Sequence, residues 1–140
     1  MKKPSRHLAR RYAVQAIYQW QMNDGPMQEI QDQFLEQKDP EKFDTTYFST
    51  LILGVGQEKA DLDALLSPLS SRELAQVDPI ELAVLRLATY ELKYCIQVPY
   101  RVVLNEALEL NKVFGTPEGH KFVNGILDKL AKQLRSAETT

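Results

Sequence analysis

Apolar residues recur at intervals of three and four along most of this 140-residue chain. That spacing places them on one face of an α-helix and predicts a mainly helical protein. Ala9, Ala13, Ala16, Ile17 and Trp20 share a face of the first predicted helix. Asn23-Asp24-Gly25-Pro26 ends it, because Gly and Pro both interrupt a helix. Ile30, Phe34 and Leu35 form the stripe of a second helix that stops near Lys38-Asp39-Pro40. A third runs from about Thr45 to Leu66, with Phe48, Leu51, Ile52, Val55, Leu62 and Leu65 toward the core. Gly54 and Gly56 each weaken that helix by about 1 kcal/mol relative to Ala. Close approach of another helix is the expected compensation.

Ser67-Pro68 and Ser70-Ser71 mark a linker at the midpoint. The next helix has the clearest start in the chain. Asp78 can cap it, Pro79 suits the first turn, and Glu81 stands three residues after Asp78 as in a capping box. Its body, Ile80 to Ala88, is apolar almost all round, the pattern of a helix at the centre of a domain. Val98-Pro99 restarts the chain into a helix carrying Val103, Ala107 and Leu110, closed by Phe114-Gly115 with Gly as a left-handed cap. Thr116-Pro117 opens a last helix with Val123, Leu127, Leu130 and Leu134 on one face. The polar tail after Arg135 is expected to fray. No strand pattern emerges. The expected fold is all-α: one domain over residues 1–140, made of two small three-helix bundles, 1–67 and 77–135, packed together.

Composition narrows the class. Hydrophobic residues make up 44% and charged residues 26% of the chain, as in an ordinary globular protein. No window of about 18 apolar residues exists to span a membrane, and the charged start lacks the apolar run of a secretory signal. The single Cys95 fits a reducing cytoplasm and excludes an internal disulfide. The net charge of −2 hides an asymmetry. Lys2, Lys3, Arg6, Arg10 and Arg11 give the first 23 residues +5, while the other 12 basic residues face all 19 acids, a balance of −7. A basic arm on an acidic body suits a polyanion met at one edge, although a basic run can equally be a solvated helix start.

Catalytic chemistry is missing. There is no Walker loop, dinucleotide-binding glycine motif, HExxH or GxSxG. Glu106 and Glu109 lie three apart without a ligand histidine and are expected to be solvated surface. His7 and His120 have no nucleophile at a recognisable spacing. No metal or other cofactor is expected, and a binding surface is what remains. Two segments could supply it. His7, Arg11, Val14 and Tyr18 share the side of the first helix roughly opposite Ala13 and Trp20, with Arg6 and Arg10 nearer the apolar side. An aromatic ring among cations can hold an unstacked base and its phosphate, or Tyr18 can simply pack on a neighbouring helix. The second segment is Phe114 to Asn124, where a helix start offers free N–H groups to an anion and Lys121 adds charge. Glu118 and Phe122 fall on a side distinct from the core stripe, so Phe122 either stacks on a base or fills a gap.

Four ordered blocks carry a family resemblance: Ala9 to Trp20, Ala83 to Leu92, Val98 to Leu110, and Phe114 to Asp128 with its His120-Lys121-Phe122-Val123-Asn124-Gly125 core. Together they resemble the bacterial transcription antitermination factors of the NusB family. The resemblance implies the two-bundle fold and a non-catalytic RNA-binding role. It implies pairing with the small-subunit ribosomal protein NusE, binding of the single-stranded boxA element of nascent RNA, and assembly with other Nus factors and RNA polymerase on ribosomal RNA operons. It assigns RNA contacts to Arg6, His7, Arg10, Arg11 and Tyr18, and to Phe114, Glu118, Lys121, Phe122 and Asn124. It assigns the protein partner to Tyr18 and Glu81, the latter also explained as a helix cap. A similar domain heads some ribosomal RNA cytosine methyltransferases, but no methyltransferase domain is expected here, and the sequence shows no cofactor-binding Gly-rich loop. A helical protein–protein scaffold without RNA is the other alternative.

Overall fold

The computed structural model describes residues 4–139; Lys2 and Lys3 of the basic start lie outside the described residues. Helix α1 spans Arg6–Met22, α2 Met27–Gln37, α3 Thr45–Leu66, α4 Pro79–Tyr94, α5 Tyr100–Phe114, α6 Gly119–Leu134 and α7 Ser136–Thr139. Two 3-10 turns, Ser67–Leu69 and Leu74–Gln76, lie in the linker between α3 and α4. Side-chain caps set three of the starts, each meeting N–H groups that lack an intrahelical partner. The Ser5 hydroxyl accepts from Leu8 N, the Asp44 carboxylate from Tyr47 N, and Asp78 from both Ile80 N and Glu81 N. Gly25, at φ +145°, makes the turn between α1 and α2.

Helix α4 is the axis of the molecule. Residues 81–89 are all buried, and α4 packs on α1 and α3 along one side and on α5 and α6 along the other. One apolar cluster therefore runs without a break from Ala9 on α1 to Leu130 on α6. Gly54 accounts for the tightness of the α3–α4 crossing, since a Cβ there would sit 2.1 Å from the Tyr90 ring. Gly56 faces Met27 at an ordinary 3.5 Å, so the expected close approach holds for one glycine of the pair.

Three local expectations change. Gly115 is not a left-handed cap: its φ of −86° is open to any residue. Glycine is required there because a Cβ would meet the Asn111 side chain at 2.2 Å and the Asn111 carbonyl oxygen at 2.8 Å. The tail does not fray at Arg135. That side chain is buried and donates to the carbonyl oxygens of Glu91, Leu92, Cys95 and Val98, closing the end of α4, while Glu138 on α7 pairs with it at 2.6 Å. Val14 is also buried, because α1 packs on both α3 and α4 and has a broader apolar face than its stripe suggests.

Candidate nucleic-acid and partner surface

The outward side of α1 presents His7, Arg11 and Tyr18, all exposed, with Tyr18 at 39%. Arg11 and Tyr18 are seven residues, two turns, apart and so share one face. Arg6, also exposed, is held beside α3: its guanidinium lies 4.2 Å from the Tyr47 ring centroid and 3.4 Å from Asp44.

Arg10 departs from the expected basic arm. Its side chain is 4% exposed, and its Nε donates to both oxygens of Glu91 on α4, at 2.9 and 3.1 Å. Tyr47 completes the cluster by donating its hydroxyl to Glu91 Oε2 at 2.5 Å. Burial alone would lower the Arg10 pKa, but the hydrogen bond and charge of Glu91 offset it and raise the guanidinium above its usual range. Burial and then the Glu91 charge push the Tyr47 hydroxyl far above an ordinary phenol. The cluster is a structural lock between α1, α3 and α4, with no donor turned to solvent for a phosphate. It continues outward: Glu106 lies 3.8 Å from Arg10 and 2.6 Å from His7 Nδ1. Glu106 is thus not free solvated surface but ties α5 to α1, whereas among the described residues Glu109 pairs with Lys112 of its own helix.

The second segment is the turn between α5 and α6. Thr116 organises it, its hydroxyl accepting from Gly119 N at 3.0 Å. Glu81 reaches this turn from the first turn of α4. It is 2% exposed, and its Oε2 accepts from Thr116 N and from the Thr116 hydroxyl at 3.4 and 3.3 Å. Glu81 therefore neither returns to cap its own helix nor stands free for a partner. Its carboxylate lies against the start of α6, where the helix dipole favours a negative charge. Gly119 makes room, because a Cβ would fall 1.4 Å from that carboxylate. Glu118 and Lys121 are exposed on the outer side, and Asn124 is half-buried.

The two aromatic rings of the turn are half-buried, each with an arginine laid on it. The Arg11 guanidinium is 5.8 Å from the Phe114 centroid, and the Arg72 guanidinium is 4.4 Å from the Phe122 centroid. Folding thus brings α1 and the α5–α6 turn into one surface. Arg72 comes from the linker and was not expected at the site. Helical periodicity cannot mark it, and an isolated arginine after Ser70-Ser71 was the only signal available. Beside the turn, a recess of about 400 Å³ is lined by Asn111, Lys112, Thr116 and His120. A separate cleft of about 420 Å³ lies between the end of α1 and the start of α4, lined by Trp20, Lys59 and Arg86. The Arg86 cation there is already held by both oxygens of Asp63 at 2.9 Å. Among the described residues no group of three metal-ligating side chains comes together, and no helix is long and apolar enough to cross a membrane.

Residues 7–132 match the model of the NusB family. The chain is 50% identical over 138 residues to the transcription antitermination protein NusB of Marinobacter nauticus, covering 99% of this chain and 87% of that protein. It is 51% identical over 135 residues to the protein of the same name from Teredinibacter turnerae, covering 96% and 92%. Among solved structures, NusB of T. maritima superposes with a TM-score of 0.81 at 34% identity, covering 95% of this chain and 94% of that one.

Proposed function

The chain belongs to the NusB family of transcription antitermination proteins, regulatory factors rather than enzymes, and from that premise we propose that it binds the single-stranded boxA element of nascent RNA together with the ribosomal protein NusE. In this reading the pair joins the other Nus factors on RNA polymerase in the cytoplasm and carries it through terminators in ribosomal RNA operons. The supporting observation is the Arg11–Phe114 contact. It joins the cationic helix α1 to the α5–α6 turn, two segments a hundred residues apart, in one exposed surface with both charge for phosphates and flat faces for bases. On that surface Arg6, His7, Arg11, Tyr18, Lys121 and the half-buried Phe122 are the RNA-facing groups, with Glu118 and Asn124 beside them. Arg10 acts from beneath by holding α1 in place. Tyr18 is the partner-facing group, and Glu81 supports that region through the turn rather than by contact.

The body of the protein is acidic, so a basic partner docked beside α1 would extend the positive track and strengthen RNA binding. By linkage, RNA must then tighten the protein pair by the same factor. Calorimetric titration of NusE into this protein, with and without boxA RNA, is expected to show tighter pairing when RNA is present. Equal partner affinities in the two titrations would remove the cooperative model, and failure of the pair to bind boxA would remove the RNA reading.

A further inference from the structure

Seven arginines occur in the chain, and the structure sorts them by what holds the guanidinium. Arg6, Arg10, Arg86 and Arg135 are each paired with a carboxylate, and Arg101 donates to the Tyr100 hydroxyl. Arg11 and Arg72 differ. Among the described residues each has an aromatic ring as its side-chain partner and no ion pair or side-chain hydrogen bond. The rings, Phe114 and Phe122, flank the same α5–α6 turn. Arg72 is also placed deliberately by its backbone: Arg72 N donates to the Ser70 hydroxyl at 3.1 Å, and that hydroxyl donates back to Arg72 O at 2.5 Å.

A guanidinium lying on a half-buried ring is restrained while its N–H donors stay unspent and its outer face stays open. That combination suits a ligand carrying both an anion and a planar aromatic group. Single-stranded nucleic acid repeats both at every residue. We propose that Arg72 on Phe122 is a second nucleotide-binding position, paired across the turn with Arg11 on Phe114, in which the base stacks on the guanidinium and the phenyl ring is its support. This inference rests on the RNA-binding reading above and adds a linker residue to it. It also alters the role of Phe122. That ring is partly buried against the core and carries Arg72 at 4.4 Å, so it acts through the arginine. Lysine would keep the charge at position 72 but lose the flat face.

The test compares the parent protein with R72K and R72A in titrations of boxA RNA at several salt concentrations. Arg72 is exposed, so all three should melt within a few degrees of one another. R72K should bind roughly 5- to 150-fold more weakly, the range expected for one lost base stack, with an unchanged salt slope. R72A should also lose about 0.7 from the slope of log K against log salt, as one phosphate contact on a single strand requires. A scan of abasic RNAs should contain one position whose base loss weakens the parent but costs R72K nothing further. If the parent binds boxA RNA and R11A weakens that binding, while R72A and R72K bind as the parent does, the Arg72 assignment is wrong and the RNA reading stands. If the parent binds no RNA, alone or with NusE, both fall.

Discussion

Arg10 and Arg11 are adjacent, yet successive helical positions point about 100° apart, so one faces Glu91 in the interior and the other Phe114 at the surface. Their substitutions should therefore separate cleanly. Arg10→Ala strands a buried carboxylate and should cost about 3–5 kcal/mol of stability, the usual penalty for removing one member of a buried pair. A thermal melt would register it as a large drop. Arg11→Ala should leave the melt nearly unchanged and instead weaken RNA binding, with a salt slope shallower by about 0.7. The reverse pattern would return Arg10 to the RNA surface. Nothing local in the sequence distinguishes these two residues, because the acid that neutralises Arg10 lies 81 positions away.

The elements themselves were largely legible. The predicted bounds of α3, Thr45 to Leu66, are the observed ones, and Asp78-Pro79 opens α4 as its capping chemistry requires. Glycines inside helices are the exception, since sequence shows their cost but not their purpose. Gly54 and Gly125 make the contrast testable. Ala at either position should gain up to about 1 kcal/mol of helix propensity. At Gly125 no atom lies within 4 Å of the new Cβ, so Gly125→Ala should raise the melting temperature. At Gly54 the Cβ would press into Tyr90 at the α3–α4 crossing, and overpacking of about 1–3 kcal/mol should outweigh the gain. Equal shifts in the two melts would mean that Tyr90 yields without cost. Gly119 follows the logic of Gly54, with the Glu81 carboxylate as the obstacle.

At the scale of the molecule, α4 is shared. It supplies Ala83, Val84, Leu85, Leu87, Ala88 and Leu92 to a core that α1, α3, α5 and α6 all enter, so neither half can keep its core if the other melts. Unfolding should be a single cooperative transition. Trp20 is the only tryptophan and lies in the first half, so its fluorescence should trace the same melting curve as far-UV circular dichroism. A Trp20 transition displaced from the helix signal would mean two independent units. The sequence by itself determined the helical class, the helix order, the apolar character of α4 and the two segments that meet in the candidate site. These follow from periodicity, caps and breakers, all of which act within a few residues. Only the tertiary structure decided which charges are spent and which are free. It paired Arg10 with Glu91 and His7 with Glu106, turned Glu81 inward onto Thr116, and laid Arg72 on Phe122. The physical reason is that a charge is settled by whatever side chain folding brings within a few ångströms, and neighbours along the chain do not carry that information.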